Sequence, residues 1–280
     1  MSILETISHR ESIRTYYEKP IEKKDFEKLQ SFMQSGIEYL GDPIAFKMIN
    51  TNQNKAERIK NLSAYGMIKG AQHYIVGVAK ENTSLVEFGY AFQQIVLFAE
   101  SIGLGTCWLG GTFKRKTVAR LLKIKKDEWI PAMMAIGYAT KRPSARARLT
   151  RLTVKADMRK PFFELFYSGK NGLPLTETKS GKMAEPLEAV RLAPSASNKQ
   201  PWRVVVNTTG DVEFYIKRTP NYAEKLGYDI QLVDIGIAMW HFAAAAREKG
   251  IKGEFKPFVP DKMNVGISDR WEYITTFVEV

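Results

Sequence analysis

The 280-residue sequence predicts an α+β protein built of two related halves, and three observations carry that expectation. Segments with helical apolar spacing alternate with short runs of β-branched and aromatic residues bounded by turn residues. A long apolar stretch occurs twice, from Leu85 and from Leu232, each followed by a glycine and later by a strand-like run that starts at a tryptophan. The composition, 44% hydrophobic and 11% aromatic, is that of a folded chain long enough to bury a sizeable core.

Taken in order, residues 3–16 read as a short helix followed by a turn. EKKDFEKLQSFMQSG is a second helix, because Phe26, Leu29, Phe32 and Met33 share one face. AFKMINT is a strand and AQHYIVGVA a stronger one. From Thr83 to Ile102 the pattern is helical but apolar on most sides, as in a helix buried between layers. Gly103 and Gly105 end it, glycine supplying the left-handed cap. A polar helix (VARLLKI) and a buried strand (IPAMMAIGYA) complete a first half, residues 1–150. Residues 151–185 are read as a crossing linker, within a basic and then turn-rich stretch from Thr140 to Glu185. The second half, 186–280, holds the helix PLEAVRLA, the turn APSASNKQP, and strands WRVVVNT and VEFYIKR joined by a hairpin at Thr209-Gly210-Asp211.

The two apolar helices align as a repeat: Leu85/Leu232, Val86/Val233, Glu87/Asp234, Gly89/Gly236, Ala91/Ala238, Ala99/Ala246 and Gly103/Gly250. Downstream, WIPAMMAIGYA and WEYITTFVEV each read as a strand after a Trp. A tandem duplication accounts for order and spacing together.

Several function classes fall away. One cysteine, Cys107, forms no disulfide framework and no Cys-pair zinc site, and His9, His73 and His241 form no HExxH; no metal is expected. The N-terminus lacks a signal peptide's apolar run. The longest apolar stretch, Leu85 to Leu109, carries Glu87, Gln93, Gln94 and Glu100 and is not a membrane span. The expectation is a cytoplasmic protein that binds no membrane. A net charge of +12 suits nucleic acid, a membrane surface or an anionic ligand. No nucleic-acid motif accompanies KRPSARARLTR, and Lys114, Lys116, Lys123, Lys125 and Lys126 read as a solvated helix face, so nucleic acid is not expected.

Three motifs carry chemistry. In HRESIRTY, the residues Arg10, Ser12 and Arg14 alternate and project from one side of an extended segment, which suits a phosphate or another acceptor-rich anion. Glu11 lies between them. In APSASNKQPW, a rigid polar turn between two prolines presents Pro194, Ser195, Ala196, Asn198 and Gln200 to a polar planar ligand edge. In GLGTCWLGG, Leu109 leads into Gly110 and Gly111, whose backbone can approach a flat ring. The string is not a dinucleotide fingerprint, since it follows a helix and opens none.

Together the three motifs resemble the nitroreductase family of flavin oxidoreductases. That resemblance implies an α+β fold with mostly antiparallel sheets and FMN at a dimer interface. It implies that Arg10, Ser12 and Arg14 hold the phosphate, ribityl chain and pyrimidine edge. Pro194, Ser195, Ala196 and Asn198 would approach from across the interface, and Leu109, Gly110 and Gly111 would lie by the ring's N5 edge. Arg146 or Arg148 in PSARARL would complete the phosphate site. NADH or NADPH would donate a hydride to N5, and a nitro, quinone or similar small-molecule acceptor would take it in ping-pong fashion. No side-chain nucleophile is required. Cys107 and Trp202 read as packing residues.

One departure is informative. Family members place the arginine segment and the PSxxN turn near each other in one subunit, whereas here about 180 residues separate Arg14 from Ser195. The first half's turn, SGIEYLGDPIAF, lacks PSxxN. The second half lacks the arginine segment at GKNGLPLTETKSGK and the double glycine at GIKGEFKPF. A fused pair with these losses keeps one flavin site of two, which resembles a two-repeat branch of the family. The expectation is one FMN per chain in a monomeric pseudo-dimer, with further self-association open. An FMN carrier or sensor without turnover is the alternative.

Overall fold

The computed structural model describes residues 1–52, 62–170, 172–256 and 271–280. Asn171 and the Pro257–Phe258 end of GIKGEFKPF, both inside motifs compared above, lie outside them. The chain divides into two compact units, one of Met1 with His9–Ala156 and one of Ser2–Ser8 with Asp157–Val280.

Helix α1 (Ile3–His9) begins in the second unit, where the Glu248 carboxylate accepts the N–H groups of Ile3 and Leu4 at 2.8 and 3.2 Å. An acidic side chain thereby satisfies amides that no helix turn can.

The first unit runs α2 (Lys23–Ser35), β1 (Ala45–Asn50), β2 (His73–Lys80), α3 (Leu85–Ser101), β3 (Gly105–Leu109), α4 (Arg115–Leu122), β4 (Glu128–Trp129), β5 (Met133–Gly137) and α5 (Ala145–Thr153). Its sheet has the order β1-β2-β5-β3, antiparallel throughout, with β4 pairing to β2. All of β2 except Lys80 is buried, which is why its sequence is a run of β-formers without polar alternation. One face of the sheet receives α3. Ser84 caps that helix by accepting the Glu87 N–H. A Cβ added at Gly77 would lie 2.5 Å from the Phe88 ring, so glycine on β2 lets α3 sit down onto the sheet. Phe92 packs edge-on against Trp108 of β3. The other face buries Tyr74, Val76, Cys107, Leu109 and Met133 with Tyr16, Leu62, Ile68 and Val118 of α4.

The second unit continues with α6 (Phe162–Leu165), β6 (Phe166–Ser168), α7 (Ala184–Leu192), β7 (Trp202–Val206), β8 (Val212–Ile216), α8 (Tyr222–Leu226), α9 (Ile230–Glu248), β9 (Gly253–Lys256) and β10 (Glu272–Glu279). Its sheet order is β6-β7-β8-β10-β9, with only the β6–β7 pair parallel. Phe214 of β8 meets Phe242 of α9 edge-on at 5.6 Å. Without β6, the path β7-β8-β10-β9 repeats β1-β2-β5-β3 strand for strand, antiparallel at each step. In both units a buried helix follows the second strand of that path, and each ends on a left-handed glycine, Gly103 (φ +81°) and Gly250 (φ +76°). The α+β class with mostly antiparallel sheets is as expected.

Four local expectations are corrected. Gly105 is not part of the α3 cap: it opens β3, where the Ile13 side chain occupies the space of its missing Cβ. The basic stretch after Thr140 contains α5, capped by Ser144, which accepts the Ala147 N–H at 3.2 Å. The residues read as a crossing linker carry α6, β6 and the end of α5. The five lysines are exposed, but only Lys116 lies within α4. The others flank the helix or follow it, so they form no helix face.

Nothing lies within 4 Å of a Cβ built at Gly103 or Gly250, so substitution there costs only backbone strain. Gly103→Ala and Gly250→Ala are each expected to lose about 1–2 kcal/mol in urea unfolding. A loss at one position only would show that the two helix ends are not equivalent.

Candidate flavin site

The arginine segment is fixed by backbone pairing on both sides. Ile13 donates its N–H to the Thr106 carbonyl of β3 at 2.8 Å, and Ser12 and Thr106 form a parallel bridge. Lys69 donates to the Arg14 carbonyl and Tyr16 to the Lys69 carbonyl, both at 2.9 Å. Tyr17 donates to Tyr138 and Thr140 to Thr15. Tyr16 anchors the segment from below, its hydroxyl donating to the Ile13 carbonyl at 2.6 Å; burial pushes that phenol well above its ordinary pKa. Extended backbone held this way puts Arg10, Ser12 and Arg14 on alternate positions, as the sequence implies. Arg10 is buried, and the Arg14 guanidinium donates to the Ser12 carbonyl at 3.3 Å. Arg14 Nε is buried with no hydrogen-bond partner among the described residues. Both cations lie near Cys107: burial raises that thiol's pKa while Arg14 and Arg10 pull it down. At 4% exposure Cys107 is a packing residue. Glu11 points elsewhere, accepting a bond from Arg151 of α5 at 2.9 Å.

At the end of β3 the Leu109 side chain is part of the core, leaving only its backbone for a ligand. Gly110 and Gly111 follow as an open bend. The loop is clipped to the chain before β2: Ala64 donates to the Thr112 carbonyl at 2.7 Å and Lys114 to the Leu62 carbonyl at 3.0 Å.

Helix α5 starts against the arginine segment, since the Ser144 N–H donates to Thr15 Oγ1 at 3.0 Å. Ser144, Arg148 and Arg151 recur at helical spacing along one face, so Arg148 lies on the side held to Thr15 and Glu11. Arg146 lies by Gly66, its Nη1 2.9 Å from where a Cβ would stand. It lines a cavity of about 420 Å³ with Lys69, Gly70, Tyr74 and Ser144. Two cations at a helix N-terminus make that cavity suited to an anion.

In the second unit the PSASNKQP turn connects α7 to β7 and holds three non-glycine residues at positive φ: Ser197 (48°), Asn198 (56°) and Gln200 (50°). Such strain persists only where surrounding contacts over-determine it, and the contacts are present. Gln200 N donates to Ser195 Oγ at 2.9 Å, Gln200 Nε2 to Asn198, and Asn198 Nδ2 to the Met158 carbonyl at 2.8 Å. Lys160 N donates to Gln200 Oε1 at 2.8 Å, and the Tyr222 hydroxyl to Ser197 Oγ at 2.9 Å. Asp234 of α9 accepts the Ala196 N–H at 2.8 Å. It is 2% exposed, and its Oδ2 has no partner among the described residues. Burial raises its pKa well above the ordinary carboxylate value, against the pull of the Ala196 amide. Trp202, next to the turn, is fully buried core.

The arginine segment, the double glycine and Arg146 thus belong to one unit and the PSASNKQP turn to the other. The family model described as "Putative TM nitroreductase" matches residues 2–246. The chain is a member of this nitroreductase family, and with it of the oxidoreductases. A solved structure from Thermotoga maritima, described as a "putative nitroreductase", covers 99% of this chain and 93% of its own, at 22% identity and a TM-score of 0.62. A relative from Methanothermobacter thermautotrophicus, described as "Putative NADH dehydrogenase/NAD(P)H nitroreductase", is 24% identical over 156 residues, 52% of this chain and 82% of its own. Among the described residues no group of His, Cys, Asp or Glu is placed to hold a metal ion, and no helix is long and apolar enough to cross a membrane.

Reading the nitroreductase motifs in sequence missed Lys69, Asp234 and Tyr222. Lys69 reaches the arginine segment only through sheet pairing, with no local signal. Asp234 was visible as the repeat partner of Glu87, but nothing in the string shows that it holds a turn 38 residues away.

Asp234 gives a pH signature. Its folded pKa lies above the ordinary value of 3.8, so its contribution to stability is complete below that value and is lost as pH rises through the raised one. Between about pH 8 and pH 4 the wild type is expected to gain urea resistance relative to Asp234→Asn. Parallel profiles for the two proteins would contradict a raised Asp234 pKa.

Proposed function

We propose that this chain is an FMN-dependent NAD(P)H oxidoreductase of nitroreductase type, with one flavin per chain. The observation that carries the reading is the arginine segment clipped against β3. It holds two guanidiniums, a hydroxyl and a buried unpartnered Arg14 Nε beside an open double-glycine bend. The donor set fits FMN, which brings a phosphate, a polyol and an acceptor-rich pyrimidine edge on a flat ring. The anion-suited cavity beside Lys69 and Arg146 favours Arg146 over Arg148 for the phosphate.

In this reading Arg10 and Arg146 neutralise the phosphate, Ser12 bonds the ribityl chain, and Arg14 faces the pyrimidine edge. Leu109 contributes its backbone only, and Gly110 and Gly111 present amides at the N5 edge. Bound FMN supplies hydride chemistry at N5, from NADH or NADPH to a nitro, quinone or similar acceptor. Arg14 would stabilise negative charge at the pyrimidine end as a preorganised cation. No side-chain acid or base is assigned a proton. The turn residues Pro194, Ser195, Ala196, Asn198 and Gln200 are assigned to flavin binding on the family resemblance alone. Internal bonds already use the Asn198 and Gln200 side chains, so the turn serves as a rigid edge. The shared strand order supports a tandem duplication, in which Gly41-Asp42 in the first half's turn and the missing arginine segment in the second leave a single site.

Arg10→Ala is expected to weaken FMN binding by on the order of ten- to a hundredfold, as for loss of a charge-assisted hydrogen bond, read by quenching of flavin fluorescence with circular dichroism as the folding control. Unchanged affinity would remove Arg10 from the site. Anaerobic NADH or NADPH should bleach the bound flavin. Bound flavin that neither donor bleaches would make the protein a flavin carrier or sensor.

A further inference from the structure

Helix α4 opens with Arg115, a residue no flavin motif includes. Its guanidinium is occupied by main-chain carbonyls. Nε donates to the Ile130 carbonyl at 2.9 Å, and one terminal nitrogen donates to Gly110 at 3.0 Å and Pro131 at 3.3 Å. The group lies over the Phe113 ring, 4.8 Å from its centroid. Phe113 is itself buried and bridged to Ser63. The Arg115 N–H donates to the Phe113 carbonyl at 3.0 Å. The guanidinium therefore ties the glycine bend to the chain entering β5, with its plane set by an aromatic face and by carbonyls on two segments.

The consequence falls on Gly111. The Gly110–Gly111 peptide is trans, so its C=O and N–H point in opposite directions. With the Gly110 oxygen held by Arg115, the Gly111 N–H points away from the guanidinium and out of the loop. Gly111 is exposed, and its N–H donates to no acceptor among the described residues. A cation bonded to the carbonyl also polarises the same peptide, which strengthens its N–H as a donor.

We infer that Arg115 is a positioning residue for flavin chemistry: it aims and polarises the Gly111 N–H that meets the N5 edge. The inference rests on the FMN reading above. Oxidised N5 accepts a hydrogen bond whereas reduced N5 carries the transferred hydrogen, so a stronger donor at that edge favours oxidised over reduced FMN and the effect is read in the potential of bound FMN. Glycine at 110 and 111 keeps the bend open, and the guanidinium removes the freedom that two glycines would otherwise have.

The test compares wild type with Arg115→Lys and Arg115→Ala. Lysine keeps the charge but lacks the fork that spans separate carbonyls. Both variants are expected to bind FMN while the ratio of reduced to oxidised FMN affinity rises about tenfold. For a two-electron couple that is a midpoint about 30 mV more positive. In the flavin-free chain, the Gly111 amide proton resonance should move upfield in Arg115→Lys, a readout that stands if the alanine variant fails to fold. Wild type that binds no FMN would overturn the underlying reading. Wild type that binds FMN, with variants at the wild-type midpoint or an unmoved Gly111 resonance, would overturn this inference alone.

Discussion

The site depends on one constraint: an extended segment, residues 10–17, is clipped by main-chain hydrogen bonds between the edge of β3 and the chain entering β2. Neither flank could hold it alone. The Ile13–Thr106 bond fixes its distance from β3, the reciprocal bonds with Lys69 fix its register, and Tyr16 fixes its depth in the core. A slip of one residue would exchange Arg10, Ser12 and Arg14 for Glu11, Ile13 and Thr15 on the site-facing side, replacing cations with a carboxylate and an apolar chain. Pairing also covers the exposed edge of β3.

The units answer the same packing problem with the same solution and then diverge at their turns. Each lays an almost wholly buried helix on an antiparallel sheet and ends it at a left-handed glycine. In the second unit Asp234 reaches from α9 to the Ala196 amide and holds a turn with three strained residues. Near the start of α3 in the first unit, Glu87 lies against Gly41, where an added Cβ would be 2.7 Å from its carboxylate. Burial raises the Glu87 pKa, and Asp42 raises it further. One helix acid thus serves a polar turn and the other crowds an acidic one, which is poorly suited to an electron-rich ligand.

Much of the fold was legible because its signals are local. The β-rich run of β2, the apolar stretches of α3 and α9, and the hairpin between β7 and β8 each state their own structure. α5 was not legible: ARARLTRLT has a weak apolar face, and its helix rests on the Ser144 cap and on ties to Thr15 and Glu11. The two-residue β4 and three-residue β6 are too short for periodicity to register. Within the site, residue types at Arg10, Ser12, Arg14, Gly110 and Gly111 were legible as a motif. The groups that orient them were not, because Arg115 and Lys69 act through main-chain atoms distant in sequence.

A single flavin is proposed for a chain whose two units share one antiparallel strand order. Titrating flavin-free protein with FMN and following fluorescence quenching to saturation tests it most directly. A break at one FMN per chain is expected. A break at two would mean that the chain holds a second working site, and no saturable binding would contradict the assignment of this donor set to flavin.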